Sequence, residues 1–278
     1  MELFGRPPHP ERPIGEGNLP APFHVYSMRQ AIEEGFILDV LRNYTSYATA
    51  LRLGTQFDQG DDRRVDKKAA GRALARWLSL HPTNIGQKVQ LIVEHFRTNV
   101  AHLLGGQAKA MIVTPSRAAA VKYHLELQRY CQANGYNNVH PMVAFSGDVA
   151  NRDVKEDSFP DSHAFNEQNL NPGLNGREMR KAFDTAEYRV MIVANKFQTG
   201  FDQPLLCGMY VDKRLAGIQA VQTLSRLNRA HPGKDTTYIL DFVNEATEIL
   251  KAFRTYYETA ELESATNPHL IYDLRAKL

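Results

Sequence analysis

Apolar residues recur along this chain with two different periods. Met28, Ala31, Ile32, Phe36 and Val40 recur at three- and four-residue spacing and predict a helix over 27–43, with Gly35 as its weak point. Tyr47, Thr49, Leu51 and Leu53 alternate and predict a strand over 45–53. The polar run Gln59-Gly60-Asp61-Asp62 predicts a turn. Helices follow over 66–80 and 84–103, divided by His81-Pro82. The second is amphipathic through Val89, Ile92, Val93, Phe96, Val100 and Leu104, and Gly105-Gly106 ends it.

From residue 109 the pattern changes. Short continuous apolar runs occur at 110–114, 142–145, 189–194, 208–211 and 237–241. Helical stretches at 117–133, 176–185, 216–229 and 244–260 alternate with them, and the polar segment 146–173 predicts a long loop. Continuous apolar strands alternating with helices predict an α/β fold, a buried parallel sheet covered by helices on both faces. Residues 1–23 hold six of the 14 prolines and predict an extended leader. A globular unit that opens on such a tether is expected to be a piece of a longer chain.

Composition narrows the function classes. Hydrophobic residues make up 43% and charged residues 23%, an ordinary globular balance. The net charge of +2 argues against a globally basic nucleic-acid coat but leaves room for a local basic site. Cys131 and Cys207 fit no zinc or disulfide framework, and the ten histidines fit no metal-ligand spacing, so no metal site is expected. A reducing compartment is the simplest setting. No apolar run reaches the ~18 residues of a membrane span.

In open parallel sheets, ligands bind beyond the carboxyl ends of the strands. There the sequence places Thr114-Pro115-Ser116-Arg117, Ser146-Gly147-Asp148, Asn195–Asp202 and Asp212-Lys213-Arg214. Small hydroxyls, glycine and cations suit phosphate groups. For any one segment alone, ordinary turn and cap residues are the better reading. On the predicted helix 216–229, Gln219, Gln222, Arg226 and Arg229 share a face with no acid between them. Guanidinium forks match phosphoryl oxygens. A solvated basic face, or pairing to acids elsewhere in the chain, fits the spacing equally well. Gly233-Lys234-Asp235 and Gly86-Gln87-Lys88 both lack the hydroxyl and the upstream glycine of a phosphate-binding loop. Asp241 ends the last strand alone, as a helix cap does.

Three segments in order, Thr114–Arg117, Ala194–Pro204 (ANKFQTGFDQP) and Gln222–Arg229 (QTLSRLNR), resemble the fourth, fifth and sixth helicase motifs of superfamily two. Ser225 and Asn228 stand at the glycine positions of the usual QxxGRxGR. The stretch His24–Leu41 (HVYSMRQAIEEGFILDVL), with Leu3-Phe4-Gly5 before it, is similar to the motor (R) subunit of type I restriction–modification enzymes. The resemblance runs over roughly residues 3–260.

That resemblance implies a RecA-like fold and a parent that hydrolyses ATP with Mg2+ to pull duplex DNA, then cuts it. It divides the chain into a leader (1–23), an inter-domain linker and helical segment (24–105), a second RecA-like domain (106–260) and the start of a following helical region (261–278). By carry-over, Arg226 and Arg229 are arginine fingers, and Gln222 bonds a phosphate or water. Gly200 and Asp202 approach the nucleotide, and Thr114, Ser116, Arg117, Ser146, Gly147, Asn195, Lys196 and Thr199 contact DNA. Thr199 stands where many relatives carry a cation. Expected partners are double-stranded DNA, the first RecA-like domain, and the modification and specificity subunits, in a bacterial or archaeal cytoplasm. The isolated chain is expected to be inactive as a hydrolase. Another superfamily-two helicase or remodeller, or a non-catalytic α/β protein-binding scaffold, are the alternative readings.

Overall fold

Two kinds of sequence punctuation, the prolines of 1–23 and Gly35, shape the smaller part of this structure. It is a computed structural model describing residues 5–7, 9–15, 17–18, 21–22, 26–46, 85–197 and 200–258. Two compact units divide the chain: Ile37–Ala252 is one, and the described residues outside it belong to the other. In the smaller unit, β1 (Gly5–Arg6) pairs antiparallel with β2 (Ala21–Pro22). Asn18 ties the connecting loop from inside. It is 6% exposed, accepts from the His9 N–H at 2.9 Å and donates to the carbonyls of His9, Arg12 and Pro13. The leader segment is therefore a pinned loop over its described residues.

The helix expected over 27–43 is shorter. α1 runs Met28–Glu33, opened by a capping box between Ser27 and Gln30. It closes at Gly35 (φ +74), where Gly35 N–H bonds the Ile32 carbonyl and Phe36 N–H bonds the Ala31 carbonyl. That is a Schellman stop, and the left-handed backbone it needs selects glycine.

The larger unit begins its sheet with β3 (Tyr44–Ser46). The expected helix at 66–80 and most of the expected strand at 45–53 lie outside the described residues. α2 (Ile85–His95) continues as a wider π-helical turn, Phe96–Val100. Then come β4 (Lys109–Val113), α3 (Arg117–Ala133) and β5 (Pro141–Ala144). The segment 146–173, expected as a loop, holds β6 (Val149–Ala150), α4 (Asn151–Val154), β7 (Ala164–Phe165) and α5 (Glu167–Leu170). After it come α6 (Met179–Asp184), β8 (Val190–Val193), β9 (Leu206–Val211) and α7 (Gly217–Leu224). β10 (Tyr238–Asp241) and α8 (Ala246–Glu258) follow.

Six strands form one parallel sheet in the order β3-β10-β9-β4-β8-β5. This is the expected parallel sheet of an α/β fold. The segment read as a linker, 24–105, supplies its outer strand β3 and the packing helix α2. Alternate residues serve opposite faces. Ala110, Ile112, Val143, Val190, Ile192 and Tyr210 join Val89, Ile92, Phe96, Ala120 and Leu127 of α2 and α3 in one core. Met111, Val113, Met142, Met191, Val193 and Met209 are equally buried and, by alternation, face away from it. Burial on both sides is why these strands read as unbroken apolar runs.

The edge strand β5 is completed by side chains. Asn171, 4% exposed, accepts from the Val143 N–H and donates to the Val143 carbonyl, both at 2.8 Å, as a neighbouring strand would. Glu167 accepts from the Phe145 N–H at 2.7 Å. Asn151 likewise knits its loop by bonds to the backbone of Glu156 and Phe159.

Two buried imidazoles link the core to pH. Burial pushes the pKa of His95 and of His124 down to about 4. His95 Nδ1 lies 3.0 Å from the Tyr210 hydroxyl, within hydrogen-bonding distance.

Replacing Asn171 with Ala should cost about 3 kcal/mol in urea unfolding, on a scale of ~1–3 kcal/mol for each buried polar group left unpaired. For the histidines, the unfolded rings take up protons near pH 6.5 and the folded ones near 4. Their contribution is therefore complete above pH 6.5 and is lost as pH falls toward 4, at about 1.4 kcal/mol per pH unit for each ring. His95→Gln, which keeps a hydrogen-bond partner for Tyr210, should remove half of that slope in a pH series of unfolding midpoints.

Candidate functional site

Hydrogen-bonded register brings the strand ends level. Val113 sits opposite both Val193 and Val211, Val193 opposite Ala144, and Asp241 opposite Val211. The loops that follow therefore leave the sheet side by side. Between those after β4, β5 and β8 lies a cleft of ≈ 520 Å³, lined by Pro115, Ser116, Arg117, Ser146, Ala194, Asn195 and Lys196. Five of the sequence-predicted residues thus meet on one wall-to-wall surface.

Each is placed by local chemistry. Ser116 caps α3, its hydroxyl accepting from the Ala119 N–H at 3.1 Å, so the positive end of a 17-residue helix opens at the cleft. Arg117 donates to the Ser146 carbonyl at 2.9 Å. Gly147 has φ +77, and a Cβ there would lie 3.1 Å from Arg117 Nη1, so glycine lets the guanidinium lie against the β5 loop. Among the described residues no carboxylate pairs with Arg117.

The other cations are partly spent. Lys196 bonds both oxygens of Glu167, at 2.8 and 2.7 Å. Lys213 donates to Asn195 at 2.6 Å. Thr114 is fully buried, and its single hydroxyl proton goes to the Val193 carbonyl at 2.9 Å, with the Ser116 carbonyl a second acceptor at 3.2 Å. It stands behind the cleft instead of lining it. Thr199 lies outside the described residues.

Asn195 and Phe197 both have φ +63, a left-handed conformation that Asn tolerates and a bulky Phe resists by about 1–2 kcal/mol. Phe197 is held by Phe201, with ring centroids 5.1 Å apart, and by the Arg180 guanidinium 5.3 Å above its ring. A backbone strained at this point is a common mark of a working loop.

The second cluster joins residues 200–204 to 222–229. The helix expected over 216–229 ends at Leu224 and tightens into a 3-10 turn, Ser225–Leu227, while Arg229 bridges to Ile37. Arg226 donates to the Gln222 carbonyl at 3.1 Å and to the Phe201 carbonyl at 2.9 Å. Arg229 pairs with Asp202 at 2.8 Å, both groups being largely solvated. Gly200 (φ +65) turns the chain into this contact. So Gly200, Asp202, Gln222, Arg226 and Arg229 do come together, and the face that looked free of acid in sequence receives Asp202 from a distant loop. Burial, with Arg229 beside it, lowers the Arg226 pKa.

In sequence, Lys234 stands out only as the lysine of Gly233-Lys234-Asp235, which lacks the pattern of a phosphate-binding loop. It is 5% exposed, and its ammonium donates to the carbonyls of Pro204, Leu227 and Arg229. It follows Pro232-Gly233, where Gly233 has φ +76. Among the described residues no three His, Cys, Asp or Glu side chains gather as metal ligands. No helix among them is long and apolar enough to cross a membrane.

Residues 106–244 match the family described as type I restriction enzyme subunit R domain 3, and the chain belongs to that family. It is similar to the type I restriction enzyme SsaAORF53P endonuclease subunit of Staphylococcus saprophyticus, 25% identical over 263 residues, covering 85% of this chain and 26% of that one. The HindI endonuclease subunit of Haemophilus influenzae is 23% identical over 246 residues, covering 84% and 22%. This chain thus spans about a quarter of the length of either relative. Among solved structures, the ATP-dependent Type ISP restriction-modification enzyme LlaBIII bound to DNA aligns with a TM-score of 0.44 and 14% identity, over 86% of this chain and 15% of that one.

Proposed function

We propose that this chain acts as the second RecA-like half of an ATP-driven DNA motor, within the R subunit of a type I restriction enzyme. The observation that carries the reading is the Arg226/Arg229 cluster, two guanidiniums fastened to the Phe201 carbonyl and the Asp202 carboxylate of one loop. Their donor set fits the phosphate oxygens of a nucleotide held by a first RecA-like domain. Among the described residues no three His, Cys, Asp or Glu side chains gather as metal ligands, so Mg2+ would be held mainly by that first domain and the phosphates.

ATP, when bound, supplies the phosphoryl group whose transfer to water drives the motor. Arg229 stabilises the charge that develops on the phosphoryl oxygens, and Arg226 braces it. To reach them, Arg229 leaves Asp202. An exposed pair of this kind contributes only ~0–1 kcal/mol, whereas a guanidinium on phosphate makes stronger charge-assisted bonds. The released Asp202 carboxylate is then free to accept from a ribose hydroxyl. Gln222, with its side chain exposed, orients phosphate or water.

The cleft serves the DNA. Ser116, Ser146, Gly147 and Asn195 offer hydroxyl, backbone and amide donors, and Arg117 is its leading cation because Lys196 is shared with Glu167. Such groups hold phosphates without reading bases, as translocation requires. Thr199 joins them by resemblance alone. The duplex, the first RecA-like domain, and the modification and specificity subunits are the partners this role needs, in a prokaryotic cytoplasm. Nuclease chemistry falls to other parts of the parent subunit.

In the complete subunit, Arg229→Ala should lower ATP turnover roughly a thousandfold, the scale of an arginine finger, with ATP affinity nearly unchanged. Unchanged turnover would remove the reading. Arg117→Ala should weaken DNA binding equally on all sequences and reduce the slope of log K against log salt by about 1. Full tolerance of both changes would favour a protein-binding scaffold.

A further inference from the structure

Neither cluster uses the ammonium of Lys234, although it lies between the two segments that build the second. Its Nζ donates to the Pro204 carbonyl at 3.0 Å, the Leu227 carbonyl at 3.0 Å and the Arg229 carbonyl at 2.9 Å. An ammonium has three N–H donors and no acceptor, so this set is saturated. Burying such a charge costs several kcal/mol unless its bonds are complete, which makes a merely space-filling lysine a poor account of this position.

The segment it holds has little fastening of its own. Thr223 Oγ1, Ser225 Oγ and Asn228 Oδ1 are buried and meet no hydrogen-bond partner in the protein. Its backbone is tied by the Leu38 N–H to the Asn228 carbonyl at 2.9 Å and by the Ile37–Arg229 bridge, and its side chains by the bonds of Arg226 to the Phe201 carbonyl and of Arg229 to Asp202. Among the described residues, Lys234 alone joins the backbone of Arg229 to that of the 200–204 loop.

We infer that Lys234 is a positioning residue for the Arg226/Arg229 pair, its ammonium clamping the Leu227 and Arg229 carbonyls to the Pro204 carbonyl. The inference rests on the reading of Arg229 as the group that reaches the nucleotide. The titratable and charged groups that face Lys234 are Cys207 on β9 and Arg229 itself. Burial, opposed by Cys207 and aided by Arg229, pushes its pKa down to about 8. Above that pH the neutral amine has two N–H groups for three carbonyls, and the clamp loosens.

The test is the pH dependence of ATP turnover by the complete subunit, assembled with its partner subunits and DNA. For the unaltered protein, kcat should fall along an alkaline limb centred near 8 while the KM for ATP stays nearly constant. K234R, whose guanidinium keeps its charge throughout that range, should retain much of the neutral-pH turnover and lack the limb. K234M should lower kcat by roughly a hundredfold, the cost of about 1 Å of misplacement, with KM within about twofold. A kcat that is flat from about pH 7 to 10 in the unaltered protein overturns the inference without any variant. So does the same limb in K234R, or full turnover in K234M. Where K234M loses its folded Tm, the pH profiles of the unaltered protein and K234R decide. Unchanged turnover in R229A would instead sink the underlying reading. Loss in R229A beside a flat profile would sink only the role of Lys234.

Discussion

The parallel register of the sheet is the constraint on which the rest of this structure depends. With both faces buried, apolar side chains fill most of each strand, and the residues of the cleft lie in the loops beyond the carboxyl ends. Because Val113, Val193, Ala144 and Val211 are paired level with one another, those ends form a single row. Pro115 and Lys196, widely separated in sequence, become neighbours there without any long-range contact made for the purpose. The cleft grows from that row.

The strands were the most legible part of the chain. Every apolar run from 110 onward became a strand of the sheet within about two residues, because two-sided burial leaves an unmistakable sequence trace. α3 also matched its expected span, since Ser116 caps it and Asn134 and Gly135 end it. What failed was length. The helix expected to continue to Asn43 was cut by Gly35, and the one expected to reach Arg229 was cut by a 3-10 turn. In both, apolar spacing ran on past the point where backbone geometry changed. The order within 146–173 was invisible for another reason: Asn151, Asn166 and Asn171 hold it by side-chain bonds to backbone, and periodicity does not register such bonds.

For the candidate site, residue identity was readable and partnership was not. The strand-end rule gathered Ser116, Arg117, Ser146, Asn195 and Lys196 correctly into one cleft. Charge, however, was counted locally and is settled non-locally. Glu167 takes Lys196, Asp202 takes Arg229, and three carbonyls take Lys234. A count of basic residues between Asp212 and Lys234 therefore overstates the charge free to meet an anion. Thr114 carries the same lesson for hydroxyls, since a residue beside a strand end is as easily turned inward as outward.

The amide of Asn171 has one more consequence. By occupying both the N–H and the carbonyl of Val143, it denies β5 to any extended segment from another chain. That margin of the sheet is closed to strand addition, the cheapest route by which two such domains would stick to one another. A neighbour can then dock along that margin only through loops and helix faces, which separate more readily than a hydrogen-bonded pair of strands.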